Sequence, residues 1–337
     1  MTLVVIDADV LGRQRTGDET YVRNLLAELA QVAPSGIRLA AATRRPDLVP
    51  AGVEPLELDA RPQELRMAVS LPRALRRARA DLCHTQYALP LRSPCPCVVT
   101  VHDLSFEREP ELMGHWDRLV FRRIVPRAVR SAARVLTVSE RTKRDLVELY
   151  GVVPDRVVVT PNGVDSAFRP GDGTAHDYVL SVGAIQRRKN QLAALEAAQA
   201  NGLPLVVVGP EKDPSLAAEL RRRGARLEGY VDRDRLAELY RGAACLVQSS
   251  RFEGFGLPVL EAMACGTPVV AAREPAIEEV AADAAIFVDE GGLADGIRRA
   301  LEERHRLVAA GLERARQFSW RTSAERTLGV YLEILGT

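Results

Sequence analysis

The chain has 337 residues, 47% hydrophobic and 27% charged, with a formal net charge of +1. This length exceeds what one ordinary core holds, so two domains of about 150 residues each are expected. No uncharged apolar run approaches the ~18 residues that span a bilayer, and no basic stretch precedes the first apolar run, so the chain reads as cytoplasmic. Five scattered cysteines argue against a disulfide framework, and Cys95-Pro96-Cys97 lacks the spacing of a zinc site, so reduced thiols and no metal are expected.

Charge is uneven. Residues 61–144 carry 17 basic and 8 acidic side chains, a local +9, whereas residues 166–337 carry 22 and 24, or −2. Only Lys143, Lys189 and Lys212 among the 46 basic residues are lysine, so arginine usage by itself does not point to nucleic acid, and none is expected as a partner.

In chain order, residues 3–6 form a short β-rich run, residues 12–17 a glycine-punctuated loop and residues 20–32 a helical pattern. Strand, loop and helix in this order open a doubly wound α/β domain. Strand runs at residues 39–42, 98–101 and 135–138 alternate with helical stretches at 65–80, 116–133 and 140–150. After the Pro161-Asn162-Gly163 turn and the turn-rich Pro170-Gly171-Asp172-Gly173, a second series begins. Its strands are expected at 178–182, 205–208, 244–248, 268–271 and 286–288. Its helices are expected at 190–200, 214–223, 232–241, 258–264, 275–281 and 293–303. In the 116–134 stretch, Phe121, Ile124, Val125, Ala128, Val129 and Ala132 make one face and Arg122, Arg123, Arg127, Arg130 and Arg134 the other. The basic face is either solvated or meets an anionic acceptor or membrane surface, as is the similar stretch at 73–77.

Chemistry in such sheets gathers beyond the carboxyl ends of strands. After the run ending at Gly183 come Arg187, Arg188 and Lys189, at a helix start where cations oppose the dipole unless an anion joins them, and a diphosphate would do so. His102-Asp103 follows the 98–101 run and suits a substrate contact. Gly17 would let its backbone approach a phosphate or acceptor closely. Glu253 and Glu261 enclose Gly254-Phe255-Gly256-Leu257-Pro258, one acid in a loop and one about a turn inside a helix. Together with the free N–H groups of that helix end, they suit a ligand with both phosphates and hydroxyls, as a nucleotide sugar has.

These residues amount to a resemblance. Val101-His102-Asp103-Leu104-Ser105-Phe106, Val138-Ser139-Glu140, Thr160-Pro161-Asn162-Gly163-Val164-Asp165, Arg188-Lys189-Asn190, Gly229-Tyr230-Val231 and the block from Arg251 through Glu261 to Val270 follow the order found in glycosyltransferase family 4. The chain resembles these retaining enzymes over nearly its full length. The resemblance implies a GT-B fold, two Rossmann-like doubly wound α/β domains facing across a cleft. It divides the chain into residues 1–165 on the acceptor side, 166–317 on the donor side, and a helix at 318–337 that returns to the first domain.

The resemblance also implies roles. Glu253 would hold the hydroxyls of the donor sugar and Glu261 those of the ribose. Backbone N–H groups of Phe255, Gly256 and Leu257 would meet the sugar and diphosphate, Lys189 and Arg188 the diphosphate, Tyr230 the base, and His102 the transferred sugar. The donor would be a UDP- or GDP-sugar, with no other cofactor. The acceptor would be a saccharide, a lipid-linked saccharide or a natural product, with peripheral contact at the inner face of the membrane through the basic helices. Many relatives have an Arg where this chain has Ala184, so the phosphate charge rests on Arg188 and Lys189. Many also have a second glycine where this chain has Asp18. The implied reaction is front-side sugar transfer with retention, closure of the domains excluding water. The alternatives are a nucleotide-sugar 2-epimerase of the same architecture and a non-catalytic sugar-binding protein.

Overall fold

The computed structural model describes residues 1–13, 16–59, 65–112, 114–171, 177–289 and 291–336. Residues 14–15 of the first loop, and Asp172 and Gly173 of the turn-rich boundary, lie outside the described residues. The chain divides into two compact units, Met1–Gly163 with Trp320–Thr337, and Val164–Ser319.

The first unit is built on a parallel sheet of β1 (Thr2–Asp7), β2 (Ile37–Thr43), β3 (Glu54–Glu57), β4 (Leu82–Gln86), β5 (Cys97–Val101), β6 (Arg134–Thr137) and β7 (Val157–Val159), in the order β3-β2-β1-β4-β5-β6-β7. The second contains β8 (Val179–Val182), β9 (Leu205–Val208), β10 (Arg226–Gly229), β11 (Cys245–Gln248), β12 (Val269–Ala272) and β13 (Ile286–Val288), all parallel, in the order β10-β9-β8-β11-β12-β13. The central strands β5, β9 and β11 are buried along their whole length, because helical connections cover a parallel sheet on both faces. In each sheet the order reverses once, between β1 and β4 and between β8 and β11, which opens a crevice at the carboxyl ends of those pairs.

Four strands have no counterpart in the sequence reading. β3, β7 and β10 are short edges, and β3 carries Pro55, which an edge tolerates. β4 is central yet reads Leu-Cys-His-Thr-Gln. Its polar residues are tolerated inside because His84 is satisfied on both ring nitrogens, by the Tyr331 hydroxyl at 2.6 Å and by Thr100 Oγ1 at 2.7 Å. Burial pushes the His84 imidazole down to about 3, so it is neutral.

The first helix spans Thr16–Val32, starting before the expected Thr20 and taking in Gly17. Asp18 and Glu19 in its first turn complement the dipole, and Glu19 Oε1 accepts from Gly12 N at 3.0 Å, which ties down the loop. The last helix, Trp320–Leu335, belongs to the first unit. It places Trp320 against Tyr21 with ring centroids 6.2 Å apart and Tyr331 on His84, and it pairs Glu333 with Arg134.

In helix His115–Ser131, Val125, Ala128 and Val129 are buried, as is Ala132 just beyond it. Ile124, read as part of that core-facing stripe, is instead exposed, together with Trp116, Leu119 and Val120. The apolar positions therefore divide between two faces rather than one.

Candidate active site

In the second unit the site lies at the crevice between β8 and β11. β8 runs out at Gly183 (φ +142°), and a Cβ there would come within 3.1 Å of Lys189 Cε. The neighbouring strand end, Gly209 (φ +144°), approaches so closely that a Cβ would lie 2.3 Å from the Gly183 carbonyl oxygen. Only glycine fits both backbone conformations, and the two loops pack closely against each other. Beyond Gly183 the segment Arg187–Lys189 makes a single tight turn. Asn190, at φ 49°, reverses the chain into helix Gln191–Ala200, a left-handed conformation that asparagine tolerates.

Lys189 and Glu253 meet across this crevice, with Nζ 2.5 Å from Oε1. Arg188 stands 3.6 Å from the other carboxylate oxygen and donates to the Phe252 carbonyl at 2.6 Å. Gln248, the last residue of β11, donates to Glu253 Oε1 at 2.6 Å. Burial would raise the Glu253 pKa, but the charges of Lys189 and Arg188 and the hydrogen bonds from Lys189 and Ser250 outweigh it, holding the carboxyl below its ordinary value. Glu253 is thus an anion with its hydrogen-bond acceptors turned toward two cations. Arg187, by contrast, is solvated, with Asp213 3.9 Å away.

Gly256 caps helix Leu257–Ala264 at φ +107°, and a Cβ there would strike Ile277 Cδ1 at 2.5 Å. The Phe255 ring turns inward onto Phe318 at 5.8 Å. The N–H groups of Phe255, Gly256 and Leu257 find no protein acceptor among the described residues, as is usual for the first turn of a helix.

Glu261 is one turn into this helix and is held differently. It is buried, accepts from the Tyr240 hydroxyl at 2.8 Å and has no cation beside it among the described residues. Burial, with a smaller contribution from the charge of Asp165, pushes it up to about 8, against the effect of the Tyr240 hydrogen bond. The two glutamates therefore differ in charge state near neutral pH. Tyr230 follows Gly229 at the end of β10 and is exposed.

In the first unit His102 follows β5 and packs edge-on against Tyr21, 4.7 Å between centroids, and beside Tyr87 at 5.7 Å. Its Nε2 is buried without a partner among the described residues. Burial lowers its pKa while the charges of Asp18 and Asp103 pull the other way, and the net result lies below the ordinary histidine value. Space above Gly17 is open, with no atom within 4 Å of where a Cβ would be. Gln248 and Tyr240, which orient the two glutamates, do not stand out in the sequence. A polar residue closing a buried strand five positions before Glu253 was the available signal for the first, and Tyr240 offered none. Among the described residues no group of three His, Cys, Asp or Glu side chains is placed to hold a metal ion.

Residues 15–168 match the model of glycosyltransferase family 4, and residues 168–318 that of the glycosyl transferases group 1. A D-inositol 3-phosphate glycosyltransferase of Acidothermus cellulolyticus is 33% identical over 90% of this chain and 79% of its own length. The chain belongs to glycosyltransferase family 4. The O-antigen chain mannosyltransferase B of Escherichia coli is 30% identical over 69% of each chain. Among solved structures, the family 4 chain superposes on sucrose-phosphate synthase of Thermosynechococcus elongatus with a TM-score of 0.79 at 20% identity, covering 100% and 99% of the two chains. It superposes on Anabaena HepE in complex with UDP-glucose with a TM-score of 0.75 at 17% identity, covering 99% and 100%. The fold is GT-B, and the protein is a glycosyltransferase.

Proposed function

We propose that this enzyme moves a sugar from a nucleoside-diphosphate sugar to a hydroxyl of a saccharide or other acceptor, with retention of anomeric configuration. The observation that carries this reading is the Lys189–Glu253–Arg188 cluster beside unpaired helix N–H groups. Two cations converge on one carboxylate at a helix start, an arrangement that suits a diphosphate and would stabilise it as the leaving group. When the diphosphate takes Lys189 and Arg188, Glu253 is released to accept hydrogen bonds from the donor sugar. An ionised Glu253 held by cations cannot serve as a general acid, which favours the gripping role over acid catalysis. Glu261 would bind the ribose hydroxyls, Tyr230 the base, and the neutral His102 the transferred sugar through its unpaired Nε2. Lys189 and Arg188 supply charge that a divalent metal otherwise provides, so turnover is expected to survive chelation.

A thermal-shift panel of UDP- and GDP-sugars, followed by product analysis with and without acceptor, tests the reading. Stabilisation by one nucleotide family, slow hydrolysis without acceptor and an unchanged anomeric configuration in the product are expected. Conversion of the donor to its epimer, or no stabilisation by any nucleotide, would overturn it.

The exposed Trp116, Leu119, Val120 and Ile124 on a helix that also exposes Arg122, Arg123, Arg127 and Arg130 support peripheral contact with an anionic membrane surface. No helix among the described residues is long and apolar enough to cross a membrane. Co-sedimentation with vesicles containing anionic lipid, lost on Trp116→Glu, would support the contact; equal sedimentation with neutral vesicles would count against it.

A further inference from the structure

Four side chains of the first unit, none more than 2% exposed, form one hydrogen-bonded chain that ends beside His102. The Tyr331 hydroxyl, on the last helix, meets His84 Nδ1 at 2.6 Å, His84 Nε2 meets Thr100 Oγ1 at 2.7 Å, and Thr100 Oγ1 meets the Tyr21 hydroxyl at 3.0 Å. Three bonds thus join helix Trp320–Leu335, β4, β5 and helix Thr16–Val32. The Tyr21 ring then packs on His102 at an interplanar angle of 81°. No member is charged near neutral pH, because burial keeps His84 neutral and pushes the Tyr21 and Tyr331 hydroxyls above their ordinary value. A chain of neutral, mutually satisfied groups holds geometry and brings no charge to the site.

The peptide of His102 is fixed, since Thr142 Oγ1 donates to its carbonyl at 3.2 Å, but its Nε2 has no partner among the described residues. The direction in which that nitrogen points is therefore set by the rings around it, of which Tyr21 is nearer than Tyr87, 4.7 Å against 5.7 Å. A bond at the far end of a tyrosine fixes the direction of the ring's long axis, and with it the surface on which the imidazole rests. We propose that Tyr21 is a positioning residue for His102, held by the Tyr331–His84–Thr100 chain at the angle that fixes where His102 Nε2 points. The inference rests on the transferase reading above, in which that nitrogen meets the transferred sugar. It links the last helix to the reaction through Tyr331, which acts by way of His102.

The test uses the full chain with Thr100→Val, which keeps the shape and removes the hydroxyl, Tyr21→Phe, which keeps the ring, and Thr100→Ser, which keeps the bond. Well below each variant's thermal midpoint, three quantities are read: turnover of the UDP- or GDP-sugar selected by thermal shift, the Kd of UDP or GDP by calorimetry, and the His102 imidazole resonances of the free protein by NMR. Thr100→Val and Tyr21→Phe are each expected to lower kcat about tenfold, less than the ~10²-fold of a 1 Å misplacement, with KM and the nucleotide Kd within about twofold of wild type. Both should displace the His102 resonances, while Thr100→Ser should keep resonances and kcat at wild-type values. A purely structural chain would lower the thermal midpoint and leave kcat and the resonances alone; that result overturns the inference, as does a displaced resonance with unchanged kcat. Where Thr100→Val does not fold, Tyr331→Phe breaks the far end of the chain and carries the same expectations. The resonances are read without nucleotide, so failure of UDP and GDP to bind would remove the transferase reading and still decide whether the chain positions His102.

Discussion

Lys189 Nζ lies 2.5 Å from Glu253 Oε1, joining the loops that follow β8 and β11 over the crevice where the second sheet reverses order. The pair is nearly buried, with side-chain exposures of 11% and 9%, so bulk water screens neither charge and their mutual attraction counts.

Lys189→Ala removes a cation from the diphosphate site and is expected to lower turnover by about 10²–10³, the scale of one transition-state charge contact. Steady-state kinetics with the natural donor check this. Near-normal turnover would remove Lys189 from the mechanism. The same substitution leaves Glu253 with Arg188 as its remaining cation, so the Glu253 pKa should rise.

Glu261 gives a stability signal with a definite sign. Its carboxyl is near 4.5 unfolded and about 8 folded, so the folded state holds a proton that the unfolded chain has released. The stability from this group is full below about pH 4.5 and is lost as pH rises toward and through 8, by about 1.4 kcal/mol for each pH step between the two values. Glu261→Gln keeps an acceptor for Tyr240 and cannot ionise. Its thermal midpoint should match wild type at pH 5 and exceed it at pH 9. A wild-type advantage at pH 9 would contradict the buried, uncompensated carboxyl.

Nucleotide affinity should move the opposite way in the same variant. Ribose hydroxyls donate best to an ionised carboxylate, so wild-type binding should tighten from pH 6 to pH 8 and this dependence should vanish in Glu261→Gln. Calorimetry with the nucleoside alone keeps phosphate titration out of the measurement. An affinity unaffected by the substitution would refute the ribose assignment.

Gly256→Ala forces a side chain into φ +107° and against Ile277 Cδ1. The backbone strain alone costs about 1–3 kcal/mol, and the contact adds to it unless Ile277 is shortened. A clear fall in the thermal midpoint, partly restored by Ile277→Val, is expected. Restoration would be incomplete because the dihedral strain remains.

Tyr331→Phe strips His84 Nδ1 of its partner inside the first unit. Leaving that group unsatisfied should cost about 1–3 kcal/mol, read as a lower midpoint in urea. An unchanged midpoint would mean that another group takes over the nitrogen.

The sequence by itself determined the two-unit α/β architecture and the family. Those rest on local signals, the alternation of apolar runs with helical periodicity and the block from Arg251 to Val270, which need no knowledge of what lies across the sheet. It also named Glu253, Lys189, Arg188 and His102, because polar and charged residues just beyond strand ends are conspicuous, and Glu261 through its place in the same block, about a turn inside the helix that follows. Only the tertiary structure decided what each does electrically. Glu253 is kept ionised by cations 64 and 65 positions away, while Glu261 is kept protonated by burial beside Tyr240, 21 positions away. β4 escaped notice for the same reason, since its His84 is acceptable in a core only because Tyr331, 247 residues later in the chain, comes back to bond it. Desolvation and pairing are properties of the packed neighbourhood, and a linear sequence does not contain that neighbourhood until the chain has folded.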